Sequence, residues 1–125
     1  VCEAACLPDD RGAIAEKLRA WAGAAAAPDL ILTAGGTGLG PRDVTPEATL
    51  DVLEKRHSGL MELIRSRTGA THPRAYLSRG EAGVVGRTLV INLPGSQRGA
   101  TECLAAILDV LPHALHALRG GDHSR

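Results

Sequence analysis

The sequence predicts an α/β fold with a mainly parallel sheet, on three observations. Two apolar runs, Leu30-Ile31-Leu32 and Thr88–Leu93, are continuous rather than alternating, which suits buried parallel strands. Segments of helical spacing alternate with them along the chain. Loops rich in glycine and proline, residues 33–43 and 94–99, follow the two runs directly, as strand-to-helix turns do. A chain of 125 residues suffices for one domain with a modest core. That domain is expected over residues 1–118, with residues 119–125 as a flexible tail.

The elements follow in order. Residues 1–7 are a short apolar stretch that reads as the tail of a strand, ending at Pro8-Asp9-Asp10. Asp10 is placed to cap a helix whose inner positions are Ile14, Leu18, Trp21 and Ala25. That helix stops before Pro28. After the first strand and its glycine loop, a second helix is expected, with Thr45 as cap, Pro46 in first position and Glu47 at the positive end. A break at Ser58-Gly59 precedes a short helix from Leu60 to Arg67. Ala75, Tyr76 and Leu77 read as a short strand. Beyond Thr88–Leu93, a helix presents Cys103, Leu104, Ile107, Leu108 and Leu111 inward, and residues 112–118 add another turn or two.

Composition narrows the function. Lys and Arg number 14, as do Asp and Glu, so the net charge is zero and neither nucleic acid nor an acidic membrane is indicated as partner. No apolar run approaches the roughly 20 residues that span a bilayer, and no signal-peptide pattern is present. With no Phe, one Trp and one Tyr, the core must be built from Leu, Ile, Val and Ala. Cys2, Cys6 and Cys103 are odd in number and include no C-x-x-C pair, which suits reduced thiols in a cytoplasmic protein. His113 and His116, three residues apart, lack a third zinc ligand and read as a solvated helix face. His57 and His72 carry no readable role.

In parallel α/β sheets, ligands sit beyond the carboxyl ends of the strands. Three loops lie at such ends: residues 8–10, 33–43 and 94–99. Gly35, Gly36 and Gly38 allow successive backbone N–H groups to converge on an anion. There is no Gly-Lys-Ser/Thr, so this is not a P-loop, and Pro41 stands where a dinucleotide fingerprint needs glycine. An ordinary tight turn is the competing reading. Asp43, beside Arg42 and ahead of a helix, is placed to help hold Mg²⁺ on a polyphosphate or to cap a turn. Asp9 by spacing alone is a solvated loop residue. Pro94-Gly95-Ser96 opens a helix whose N–H groups and Ser96 hydroxyl suit an anionic group, with Arg98 adding charge. Ser78-Arg79 faces the same crevice if the short strand before it is right.

The run Leu32-Thr33-Ala34-Gly35-Gly36-Thr37-Gly38, with Pro41-Arg42-Asp43-Val44-Thr45-Pro46-Glu47-Ala48-Thr49, resembles the signature of the molybdopterin adenylyltransferase family. This is the Mog-type branch, shared with the G domain of gephyrin. The match continues through Ser58-Gly59-Leu60-Met61-Glu62, Leu77-Ser78-Arg79, Ala82-Gly83-Val84 and the Pro94-Gly95-Ser96 loop to Leu111-Pro112-His113-Ala114-Leu115. Upstream, Leu7-Pro8-Asp9-Asp10 matches the family's acidic turn. The resemblance implies a three-layer α/β/α fold, commonly trimeric. It implies Mg²⁺-dependent transfer of AMP from ATP to the terminal phosphate of molybdopterin, with release of pyrophosphate, and a partner protein that then inserts molybdate. By resemblance, Asp9 and Asp43 carry over as the functional aspartates. Gly35, Gly36, Thr37 and Gly38 carry over with Pro94, Gly95 and Ser96 as ligand-binding backbone. Arg42, Thr45, Ser78 and Arg79 are expected to line the site, with Arg42, Arg79 or Arg98 receiving developing charge. Asp43 is the expected Mg²⁺ ligand.

Relatives carry a further front segment, with a first strand, a Ser-Asp turn that contributes to the nucleotide pocket, and a helix. A first strand in such a sheet is normally interior. Its absence is expected to split the sheet and leave this chain marginal, oligomeric or aggregation-prone. Two alternatives stand beside the transferase: a MoaB-type paralogue of the same fold, and a non-catalytic scaffold holding a pterin or a partner peptide. Arg42-Asp43-Val44-Thr45 favours the transferase branch, whereas Pro94-Gly95-Ser96 occurs in both enzyme branches.

Overall fold

In the computed structural model, described over residues 3–120, one four-stranded sheet lies between two helical layers. The elements are α1 (Arg11–Ala22), β1 (Leu30–Ala34), α2 (Thr45–Leu50), β2 (Lys55–Arg56), α3 (Ser58–Gly69), a 3-10 turn (Pro73–Leu77), β3 (Ala82–Val85), β4 (Thr88–Leu93), α4 (Gln97–Ala105) and α5 (Leu111–Leu118). The strand order is β1-β4-β3-β2. β1 and β4 are parallel, with Ile31 opposite Val90. β4 returns from β3 as an antiparallel hairpin, and β2 pairs antiparallel with β3. The α/β class therefore holds, and the sheet is mixed. The antiparallel half leaves little trace in the sequence because Ala82–Val85 is only 4 residues and Lys55–Arg56 only 2. Gly86 makes the hairpin possible with φ 59°, a left-handed conformation that suits glycine.

Side-chain alternation along β4 assigns one layer to each face. Leu89, Ile91 and Leu93 pack with Leu60, Met61 and Ile64 of α3, and with Ile107 and Leu111. Val90 joins Ile31 against Ile14, Ala15 and Leu18 of α1 and Ala48 and Val52 beyond it. Ile91 and Ile107 are fully buried, and each side chain contributes about 1.5–3 kcal/mol by leaving water. Asn92 is, with Thr88, a buried polar residue of β4. Its amide donates to Thr33 Oγ1 at 2.9 Å and Thr49 Oγ1 at 3.0 Å, and its oxygen accepts from the Glu81 N–H at 2.9 Å. One side chain thus ties β1, α2 and the approach to β3.

Several local expectations change. Asp10 does cap α1, accepting from the Gly12 N–H at 3.0 Å. The helix ends at Ala22, so Ala25 lies beyond it and is exposed. Thr45 does not cap α2; it is the first helical residue, after Val44. α3 starts at Ser58 because the His57 ring accepts from the Leu60 N–H at 3.3 Å, giving that histidine a role. Ala75, Tyr76 and Leu77 form part of a 3-10 turn, not a strand, because Pro73 opens it in a helical conformation. Leu108 is 57 % exposed, in the turn between α4 and α5, and does not face the core. Residues 3–7 form no strand. Cys2 and residues 121–125 of the expected tail lie outside the described residues. Among the described residues, no helix is long and apolar enough to cross a membrane.

No gap separates the two long strands, contrary to the expected split, because β1 and β4 pair directly in parallel along all of β1. The open side of the sheet is instead the outer edge of β1, which has no strand beside it among the described residues. A cleft of about 920 Å³ runs along that edge, walled by Leu18, Trp21, Leu30 and Leu32.

Candidate functional site

Because β1 and β4 are parallel neighbours, their carboxyl ends emerge side by side, and the two glycine loops meet there. The Gly35 N–H donates to the Leu93 carbonyl at 2.9 Å. A Cβ on Gly95 would sit 3.2 Å from the Gly35 Cα, so side chains at this crossing would hold the loops apart. Gly35 and Gly36 turn the chain out of β1 with φ 101° and 70°. A Cβ on Gly36 would also collide with the Thr45 hydroxyl. The sequence Gly35-Gly36 is therefore required by both the turn and the close approach of α2.

Beyond that turn, the loop is bound by its carbonyls. The Gly36 carbonyl accepts from the Thr45 N–H at 3.1 Å, and the Thr37 carbonyl accepts from the Arg79 N–H at 2.8 Å. The Gly38 carbonyl accepts from Arg79 Nε at 2.8 Å, and the Asp43 carbonyl accepts from Arg79 Nη2 at 2.8 Å. Arg79 Nη1 donates to the Glu47 carboxylate at 2.5 Å. That bond holds the Glu47 carboxyl below its ordinary range and raises the Arg79 guanidinium further. From the sequence, Glu47 reads as a helix-end charge only. Its partner is 32 residues away, and no local spacing announces the pair.

Asp43 folds back into the loop. One carboxylate oxygen accepts from the Gly40 N–H at 2.9 Å, while the Asp43 N–H donates to the Gly40 carbonyl at 3.1 Å. Its other oxygen takes no hydrogen bond among the described residues. Asp43 is half-buried, and its neighbour Arg42 is exposed.

The remaining predicted residues divide between two clefts. Asp9, exposed, lines the cleft along β1 together with Gly35, Gly36 and Thr45. Ser78, Pro94 and Ser96 line a second cleft of about 650 Å³, whose cations are Arg65, Arg74 and Arg98. Thr37, Gly38, Arg42, Asp43, Arg79 and Gly95 line neither of these two clefts. Ser96 caps α4, its hydroxyl accepting from the Gly99 N–H at 3.0 Å, and its own hydrogen remains to be donated. Ser78 Oγ accepts from the Gly80 N–H at 3.3 Å, and the Ser78 carbonyl accepts from Arg65 Nε at 3.1 Å. Arg98 is engaged with Glu102 at 2.9 Å. Cys103 lies in the second cleft as well, and burial pushes its thiol up, so it stays protonated and weakly nucleophilic. Among the described residues, no three of His, Cys, Asp and Glu are grouped to hold a metal ion.

Residues 1–113 match the domain family described as "Probable molybdopterin binding domain". The chain is 44% identical over 112 residues to the molybdenum cofactor synthesis protein cinnamon of Drosophila melanogaster, covering 90% of this chain and 18% of that one. It is 42% identical over 92 residues to the molybdopterin adenylyltransferase of Helicobacter pylori strain J99, covering 74% of this chain and 52% of that enzyme. Among solved structures it is similar to the molybdopterin biosynthesis enzyme MoaB of Thermus thermophilus, at TM-score 0.84 and 53% identity, covering 94% of this chain and 73% of that one. The chain spans about half the length of the bacterial adenylyltransferase and a smaller share of the insect protein.

Proposed function

This chain belongs to the molybdenum cofactor biosynthesis domain family, and from that premise we propose that it serves as the adenylyl-transfer domain for molybdopterin, joining AMP from ATP to the pterin's terminal phosphate and releasing pyrophosphate. The observation that carries this reading is the loop at the carboxyl ends of β1 and β4. Its carbonyls are tied to Thr45 and Arg79, while the N–H groups of Gly36, Thr37 and Gly38 take no partner among the described residues. Three consecutive unused amides beside an aspartate suit an anionic ligand that arrives with a cation.

The residues fit magnesium in one way only. With no grouping of three ligands among the described residues, a cage made of protein alone is not available. Mg²⁺ commonly binds through one or two carboxylates and the substrate's own phosphates, and Asp43 has one oxygen uncommitted. Asp43 would hold the ion, and Mg²⁺ when bound would screen the polyphosphate against the approaching pterin phosphate.

The chain's own groups do the rest by alignment and charge stabilisation. The loop amides receive phosphate oxygens. Asp9 and the cleft along β1 flank the loop on one side, and the cationic cleft with Ser78 and Ser96 flanks it on the other. Two ligands could therefore approach the β4 carboxyl end from separate clefts and meet at the loop. The pterin phosphate is the nucleophile, so no covalent enzyme intermediate is needed, consistent with Cys103 as a bystander.

The decisive experiment adds molybdopterin to full-length protein with Mg-ATP and follows pyrophosphate. Release that depends on molybdopterin is expected. The likeness to a structure named molybdopterin biosynthesis enzyme MoaB, at 53% identity, favours a second reading, a MoaB-type paralogue of the same fold. Molybdopterin binding with no pyrophosphate would select it.

A further inference from the structure

We infer that Arg79 is a positioning residue, whose task is to fix the peptide planes of the glycine loop so that their amides face an anion, and that it does not itself receive the phosphate. This rests on the reading that the loop takes a polyphosphate.

The inference starts from peptide geometry. In a trans peptide the carbonyl and the following N–H point in opposite directions, and no cis bond occurs among the described residues. Three successive planes are held by their carbonyl side. The Gly36 carbonyl is bound by the Thr45 N–H, the Thr37 carbonyl by the Arg79 N–H, and the Gly38 carbonyl by Arg79 Nε. The N–H groups on the far side of those planes belong to Thr37, Gly38 and Leu39. All three point away from the groups that hold the carbonyls, and none is hydrogen-bonded among the described residues. Two of the three anchors come from Arg79, one from its backbone N–H, which any residue here would supply, and one from its side chain, which also holds the Asp43 carbonyl.

All but one N–H of the guanidinium is committed. Nη2 donates to the Asp43 carbonyl, and Nη1 donates to Glu47. A cation poised for phosphate would keep an edge open. This one has hydrogen bonds from each of its three nitrogens and a carboxylate that balances its charge. Glu47 thereby keeps the arginine aimed at the loop. The planar fork is what matters, because a lysine ammonium carries the charge but cannot reach two carbonyls and a carboxylate in this geometry.

The test uses ¹⁵N-labelled full-length protein with inorganic triphosphate as probe. The largest amide shifts are expected at Thr37, Gly38 and Leu39. Arg79→Lys and Arg79→Gln should both weaken triphosphate by at least roughly 10-fold and raise the KM for ATP, with the amide resonances of β4 unchanged. Full binding by Arg79→Lys beside weak binding by Arg79→Gln would make Arg79 a charge contact and overturn the inference. So would triphosphate shifts that spare the three loop amides. If both variants unfold, the wild-type Arg79 guanidinium resonances decide: a triphosphate shift there as large as at the loop amides would make Arg79 a phosphate contact and overturn the inference. Loop shifts without pyrophosphate release would uphold the inference and refute the transferase reading; release without loop shifts would do the reverse.

Discussion

Asp43 joins two tasks in one side chain. One oxygen closes the turn on the Gly40 N–H, and the other is uncommitted. Two substitutions separate these tasks. Asp43→Asn keeps an acceptor for Gly40 and removes the charge. It should cut adenylyl transfer at least about 100-fold while sparing pterin binding, since lost charge stabilisation is worth a few kcal/mol. Asp43→Ala removes the turn bond too, and should lose thermal stability in addition. Wild-type turnover by Asp43→Asn would end the catalytic assignment. The same site predicts a metal dependence. In calorimetric titration ATP should bind more tightly with Mg²⁺ than without, and equal affinities would contradict a bridge between carboxylate and phosphate. At Asn92 the consequence is stability alone. Asn92→Leu would strand the Glu81 N–H and leave two threonine hydroxyls without their donor. A loss of about 1–3 kcal/mol in denaturant unfolding is expected, and an unchanged midpoint would show that the network is dispensable.

Among the elements, α2 and the strand-entry segment before β3 are joined by the Arg79–Glu47 pair. The Glu47 carboxyl is held below its ordinary range mainly by the hydrogen bond from Arg79. A depressed carboxyl binds fewer protons folded than unfolded, so its contribution is fully present above the ordinary carboxylate range. It is lost as pH falls through the depressed value. Asp51 beside Arg11 and Asp109 beside Arg67 are lowered too, so acid should weaken the whole chain. Comparison with Glu47→Gln isolates the loop brace. The wild type should melt higher than the variant near pH 6, and the gap should narrow by about pH 3. A gap that stays constant over that interval would place the stabilisation elsewhere.

At the scale of the whole molecule, the consequential feature is the outer edge of β1, which is bare among the described residues. An unpaired strand edge beside an apolar groove is a template for another strand. Leu32, on that edge, is 39 % exposed. The chain of 125 residues should therefore associate with itself as concentration rises. Leu32→Lys should shift it toward the monomer, because charge on an edge discourages strand pairing. Light scattering across a concentration series checks both. A wild-type chain that stays monomeric throughout would show that the edge is protected.

The α/β class, the two long strands, the glycine loops at their ends and the cap at Asp10 are all legible in the chain before it folds. Each of these is written locally, in an unbroken apolar run, a positive-φ glycine or an oxygen placed one residue before a helix. The family is legible for the same reason, since Gly35-Gly36-Thr37-Gly38 and Pro41-Arg42-Asp43 are contiguous. The mixed sheet, the histidine cap of α3 and the division of the site between two clefts emerge only on folding. So do the roles of Arg79, Glu47 and Asn92. Arg79 reaches Gly38 across 41 residues, and Asn92 reaches Thr33 across 59. A hydrogen bond depends on distance in space, and that distance exists only once β4 has paired with β1 and brought both loops to one end of the sheet.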